Sequence, residues 1–378
     1  MRRFLIKLLI FLSIPTFFVA QTAYGLVGKS VAEDDIRAWE TLSVLEKNDI
    51  LTGPFYPNVY IEKTEMGTYP KPAGFGVLET VIWQTDKYGY RKDPAYQDNP
   101  DIVIIGDSFI GGSGLTQEDM LTEKIQNITG LNTYPYALGY INQFASDKRF
   151  RDHPPKIVVL AMVEKLFQSA SEIEESKPDN SSQLSGLDLI KYNTSVVESA
   201  KIYDRLKKKY FFDFLRAKVY KFLEEARPEN VKPNYKYLGI NMAIDESMVF
   251  STQSDDYFIP VSDKTVAWNV WKMKTYRDYL EARGIRFIVA VIPNKENIYY
   301  KIMQGERKRP DFIDRFNKEA KVAGIELVDL QKSFDVSRDR NPKDLLYHID
   351  DSHWNARGVE IAAREIAKII LDKTPPSN

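Results

Sequence analysis

Ile102-Val103-Ile104-Ile105-Gly106-Asp107-Ser108-Phe109 decides how this chain folds. Four consecutive β-branched apolar residues form the pattern of a strand buried on both faces, as in a parallel sheet rather than a half-solvated antiparallel one. The run stops at Gly106, where a glycine permits a tight turn and close approach of backbones. Ser108 then stands just past the C-terminal end of the strand, the edge at which doubly wound sheets bind ligands. Gly111, Gly112 and Gly114 keep the following loop free of bulk, so a substrate can reach the hydroxyl.

Working outward, the same signature recurs. Residues 157–163 are continuously apolar, 285–292 form a third run stopped by Pro293-Asn294, and 325–330 a fourth. Residues 132–136 read as a short strand followed by a turn at Gly139. Helical spacing falls between these runs, over 117–128, 265–283 and 311–323. A last helix over 356–371 carries Val359, Ala362, Ala363, Ile366, Ile369 and Ile370 at helical periodicity. Strand and helix alternate and the strands look central, which predicts an α/β fold with a parallel sheet between helical layers.

Other segments break the alternation. Residues 32–47 look helical and acidic, and 52–72 are punctuated by Pro and Gly and read as irregular. Residues 169–260 are polar and Lys/Glu-rich, and predict a helical insertion. Within it, Lys207-Lys208-Lys209-Tyr210-Phe211-Phe212 opens a basic-aromatic stretch that suits either a solvated helical cap over the sheet or a surface that leans on a membrane or a partner. The expected division is 1–26 signal peptide or membrane anchor, 27–95 N-terminal extension, 96–168 first half of the core, 169–260 insertion and 261–373 second half of the core.

The first segment reads as an address. Met1-Arg2-Arg3 is basic and residues 8–20 are nearly all apolar, short for a membrane span but right for a secretory signal. Further apolar residues up to Val27 also allow an uncleaved anchor. Either way the basic start puts the rest of the chain outside the cytoplasm.

Composition narrows the chemistry. The 378 residues carry a formal net charge of −1, which gives no reason to expect a nucleic-acid partner. There are no cysteines, so disulfides, thiol nucleophiles and cysteine-ligated metals are excluded. Only three histidines occur and no zinc spacing is present, so neither a metal nor a cofactor is expected.

One of those histidines sits in Asp350-Asp351-Ser352-His353-Trp354-Asn355. Asn355 is a good N-cap for the last helix. A neutral imidazole takes a serine proton when its other nitrogen is held by a carboxylate, and either Asp350 or Asp351 can do this from a loop. Ser108, His353 and one of these acids are the three parts that acyl transfer through a serine ester requires.

These residues resemble the SGNH, or GDSL-type, esterase and acyltransferase superfamily, with Ser108 in its Gly-Asp-Ser block and His353 in its late Asp-x-x-His block. The resemblance implies a flavodoxin-like three-layer α/β/α sandwich. It also implies Ser108 as nucleophile, His353 as base and an aspartate to orient it. A finer resemblance is to extracytoplasmic polysaccharide O-acetyltransferases of the alginate-acetylation type. Asp351-Ser352-His353-Trp354 resembles their Asp-x-His-Trp motif and favours Asp351. Residues 291–299 resemble their Pro-x-Lys…Tyr loop, and Val163-Glu164-Lys165 their Val-Glu-Arg. Those proteins place Asp-x-His before the serine, whereas here it follows. For the oxyanion hole the superfamily pattern implies Gly139. The usual asparagine after residues 157–163 is missing, with Asn142 as the substitute donor.

The expected function is therefore extracytoplasmic O-acylation of polysaccharide hydroxyls through an acyl-Ser108 intermediate. The resemblance implies a membrane-bound O-acyltransferase as the partner that hands on the acyl group. The alternatives are an SGNH esterase or deacetylase using water, and an inactive glycan-binding scaffold.

Overall fold

A computed structural model of the chain describes residues 37–43, 53–69, 76–96, 98–169, 240–244, 247–251 and 256–372. The expected leader (1–26), the basic-aromatic stretch from Lys207 and most of the expected insertion lie outside the described residues.

The centre is a five-stranded, all-parallel sheet. Its strands are β3 (Ile102–Gly106), β4 (Thr133–Ala137), β5 (Ile157–Val163), β8 (Arg286–Ile292) and β9 (Glu326–Val328), in the order β4-β3-β5-β8-β9. β3 and β5 are buried at every position, as strands must be when helices cover both faces.

Side-chain alternation divides the core into two layers. Ile102, Ile104, Val159, Ala161, Ile288 and Ala290 face one side. There they pack on α2 (Leu121–Thr129), α9 (Leu330–Arg340) and α10 (Ala356–Asp372). Val103, Ile105, Val158, Leu160, Phe287 and Val289 face the other, against α6 (Asp263–Glu281) and α8 (Phe312–Val322). This is a three-layer α/β/α sandwich. Register aligns Gly106 with Ala137 on one side and Ala161 on the other. The loops that follow β3, β4 and β5 therefore leave one edge of the sheet from adjacent strands.

Several expectations need correction. Residues 52–72 are not wholly irregular: they contain β1 (Tyr60–Glu65), paired antiparallel with β2 (Glu79–Gln84). Tyr-Ile-Glu-Lys-Thr-Glu shows no clean apolar alternation, because much of β1 is solvated. A small separate core of Ala38, Leu42, Phe55, Val81 and Trp83 joins this pair to α1 (Ala38–Leu42). The helix over 117–128 is divided into a 3₁₀ turn, Gln117–Asp119, and α2. α9 was not foreseen: Asp329 caps it, accepting from the Lys332 amide at 3.1 Å, but only Leu330 and Phe334 give it a buried apolar face. The described end of the expected helical insertion holds a strand pair, β6 (Ile240–Met242) with β7 (Val249–Ser251).

Candidate active site

Ser108 sits in the turn that ends β3. Its geometry is imposed from below, since a Cβ on Gly106 would lie 2.0 Å from the Ala161 carbonyl oxygen of β5. Only glycine lets the two strand ends close this tightly. Asp107 pins the turn by accepting hydrogen bonds from the Phe109 amide at 2.9 Å and the Val163 amide at 2.8 Å. Burial pushes its carboxyl above the usual range, opposed by those two amides.

His353 arrives from the loop before α10, 245 positions away in sequence. Asn355 caps that helix, accepting from the amides of Arg357 (3.0 Å) and Gly358 (3.1 Å). Phe109 packs on the imidazole, with ring centroids 4.7 Å apart, and edge-on against the buried Trp354. The imidazole Nε2 lies 2.7 Å from Ser108 Oγ, and its Nδ1 lies 2.5 Å from Asp351 Oδ1. The same carboxylate oxygen accepts the His353 amide at 3.0 Å.

The two aspartates separate cleanly. Asp351 Oδ2 accepts from Arg37 Nη1 at 2.8 Å, from the Thr68 amide at 3.0 Å and from Thr68 Oγ1 at 2.7 Å. Burial alone would lift the Asp351 carboxyl, but His353, Arg37 and Thr68 together hold it well below the ordinary carboxylate range. Asp350 is turned elsewhere: its Oδ2 accepts the amides of Gly67 (3.1 Å), after β1, and Val77 (2.9 Å), before β2. Of the two acids open in the sequence, Asp351 meets the imidazole.

Gly139 and Asn142 follow β4. Gly139 is buried, and a Cβ there would lie 2.5 Å from the Tyr136 ring, so packing excludes a larger residue. Asn142 Oδ1 accepts the Gln143 amide at 2.9 Å within the short helix α3 (Ile141–Ser146).

Residues around the site that sequence reasoning missed come largely from the part of the chain ahead of β3. Arg91 is fully buried. Its guanidinium donates to the carbonyls of Gly112 and Leu115 at 2.5 Å each, and to Ile82 at 3.0 Å, while lying 3.8 Å above the Trp83 ring. Burial pulls it down to about 9, so it remains a cation at neutral pH and clamps the loop that carries Ser108. Arg37 and Thr68 reach Asp351 as described. No local pattern distinguishes either from any other arginine or threonine.

The two other stretches with family resemblance prove to be braces. Lys295 is buried and donates from Nζ to the carbonyls of Val249 (2.9 Å), His348 (2.7 Å), Ile349 (3.2 Å) and Asp351 (2.8 Å). It ties the Asp-x-His loop to β7. Burial pulls its pKa down to about 8. Glu164, at the end of β5, accepts from Asn294 Nδ2 (3.1 Å) and Asn297 Nδ2 (2.6 Å), which joins the loops after β5 and β8. Burial, only partly offset by these amides, pushes Glu164 up to about 8.

Residues 250–378 match the family model described as SGNH hydrolase-like domain, acetyltransferase AlgX. The fold is that of an SGNH hydrolase-like domain. The chain is 29% identical over 126 residues to a probable alginate O-acetylase AlgJ of Pseudomonas fluorescens. It is 26% identical over 128 residues to the protein of the same name from Pseudomonas syringae pv. tomato. Each match covers 32% of this chain and 32% of the relative, so the alignment spans about a third of those proteins' length. A solved structure, the O-acetyltransferase domain of Pseudomonas putida AlgJ, is 24% identical and covers 36% of this chain and 48% of that one, with a TM-score of 0.31.

Proposed function

We propose that this protein is an extracytoplasmic serine-dependent O-acetyltransferase, which moves an acetyl group to hydroxyls of an exported polysaccharide. The observation that carries the reading is the unbroken chain from Ser108 Oγ through His353 to Asp351, at 2.7 and 2.5 Å. The alginate O-acetylase names of the relatives support acetyl as the group and a polysaccharide as the acceptor.

In the first half-reaction His353 Nε2 takes the Ser108 proton as Oγ attacks the acetyl carbonyl carbon of a donor ester. The tetrahedral intermediate collapses, the donor oxygen leaves with the proton from His353, and acetyl-Ser108 remains. In the second, a sugar hydroxyl gives its proton to His353 Nε2 and attacks the acetyl carbon. Ser108 then departs and recovers that proton. Asp351 holds the imidazole with Nδ1 protonated and stabilises the imidazolium in both halves. The Ser108 amide, which makes no hydrogen bond among the described residues, serves as one oxyanion donor, and Gly139 as a second. Asn142 is the third. The acyl group reaches the site from a membrane-bound O-acyltransferase, with the N-terminal segment holding the protein outside the cytoplasm.

The test is to incubate the purified protein with a chromogenic acetyl ester, with and without a polysaccharide acceptor. Acetyl on the Ser108 peptide by mass spectrometry, and its passage to the saccharide faster than to water, are the expected results. Absence of the adduct from Ser108, or an unchanged yield in Ser108→Ala, overturns the reading. Fast hydrolysis that the acceptor does not alter makes the protein an esterase.

A further inference from the structure

The SGNH-like domain has a charged neighbour that its own sequence does not supply. Arg37 lies 314 positions before Asp351, ahead of α1 and outside the stretch that matches the family model. Its Nη1 donates both to Asp351 Oδ2 (2.8 Å) and to Ser113 Oγ (3.2 Å). Ser113 belongs to the loop that begins at Ser108, and its amide bonds the Ser108 carbonyl at 3.3 Å. A single guanidinium nitrogen therefore ties the nucleophile's loop to the acid that orients the base. Both ends of the contact are buried, at 6% and 5% side-chain exposure, so the charge acts through little water. Arg37 is itself fixed. Its backbone amide donates to Glu40 Oε2 at 2.9 Å, and the next amide, that of Ala38, donates to Glu65 Oε2 at 2.5 Å.

We propose that Arg37 is a positioning residue for acyl transfer, one that sets the spacing of Ser108 and His353 and offsets the negative charge of Asp351 felt by the imidazole. This rests on the Ser108 reading above. Two effects follow. The bridge keeps Oδ2 occupied, so Oδ1 stays aimed at Nδ1. The positive charge also offsets the carboxylate charge that faces the imidazole.

Other charges face the same pair. Lys295 lies behind the Asp351 carbonyl. Asp350, His348, Tyr69 and Glu296 surround the loop, Asp107 faces His353 from the serine turn, and Glu40 sits beside Arg37. Among the contacts described to the Asp351 carboxylate, Arg37 provides the cationic one other than His353 itself.

The test uses Arg37→Met, Arg37→Lys and Thr68→Val in the full chain, with two readouts. The first is the pH dependence of chromogenic acetyl-ester turnover. The second is the imidazole titration by ¹⁵N-histidine NMR, tractable because the chain has three histidines. Arg37→Met should move the acid limb, and the His353 titration, up by about one pH unit, because an uncompensated carboxylate favours imidazolium. It should also lower kcat more than it raises KM. Arg37→Lys should restore the limb, since the charge remains, while recovering only part of kcat. Thr68→Val removes a neutral donor from the same oxygen and should leave the limb in place. If Arg37→Met leaves the limb and the NMR titration within about 0.2 pH unit of the parent, the proposal is overturned, even if stability falls. The NMR arm reads Arg37 whether or not acetyl reaches Ser108, so the failure of this inference and that of the acyl-serine reading are distinguishable.

Discussion

Asp351→Asn is the sharpest perturbation of this site, because every partner of its carboxylate can act as a donor. Oδ1 takes His353 Nδ1 and the His353 amide; Oδ2 takes Arg37 Nη1, the Thr68 amide and Thr68 Oγ1. An asparagine must turn its NH₂ toward one of these groups. Facing Arg37 and Thr68, it abandons a guanidinium and a backbone amide. Facing His353, it abandons one amide and makes the imidazole accept at Nδ1. That second arrangement loses fewer bonds and should prevail. It leaves the ring proton on Nε2, pointing at Ser108 Oγ, where it blocks the base. The rate should fall by about 10⁴-fold, the size associated with the wrong histidine tautomer in a serine triad. Stability should fall by about 3–5 kcal/mol, since the buried Arg37 charge loses its partner. Chromogenic ester turnover and urea unfolding measure the two effects. Asp350→Asn is the control: it touches backbone amides of Gly67 and Val77, so it should cost about 1–3 kcal/mol with turnover nearly unchanged. Asp351→Asn turnover within tenfold of the parent would refute the tautomer argument.

Other expectations follow from the same geometry. Lys295→Met strands four carbonyls and should lower unfolding free energy by about 3 kcal/mol or more, with kcat falling as the Asp-x-His loop loosens; urea unfolding and turnover read the two. Gly106→Ala puts a methyl group 2.0 Å from a backbone oxygen and should abolish soluble folded protein, checked by circular dichroism and gel filtration. Glu164 has its folded pKa raised to about 8 from an ordinary 4.5. The folded state therefore binds the proton more tightly between those values. Its contribution to stability is present in full below pH 4.5 and is lost as pH rises through 8. Glu164→Gln should remove that part of the slope in a stability-against-pH series, and an unchanged slope would discount the protonated Glu164.

Legibility tracked burial and local chemistry. β3 and β5 announced themselves because both faces are covered, and α10 because Val359, Ala362, Ala363 and Ile366 share one stripe. Ser108 and His353 stood out by their place at strand and helix ends. Local chemistry left Asp350 and Asp351 open, since two adjacent loop aspartates differ only in the direction each points, and only the Asp-x-His-Trp resemblance favoured Asp351. β1 and α9 were hidden by polar residues that packing, rather than periodicity, makes regular. Arg37, Thr68 and Arg91 were invisible for a different reason: their meaning lies wholly in partners remote along the chain, and one buried arginine reads like any exposed one until its neighbours are known.

The 245-residue separation of Ser108 from His353 has a consequence for biogenesis. Chains are made from the amino end, and β8, β9 and the Asp-x-His loop are the last parts of the central architecture to be synthesised. Until then the serine has neither base nor finished sheet around it, and pairings so remote in sequence form slowly. A nascent polypeptide thus lacks the contact between Ser108 and His353, which forms only when the described core has closed upon itself.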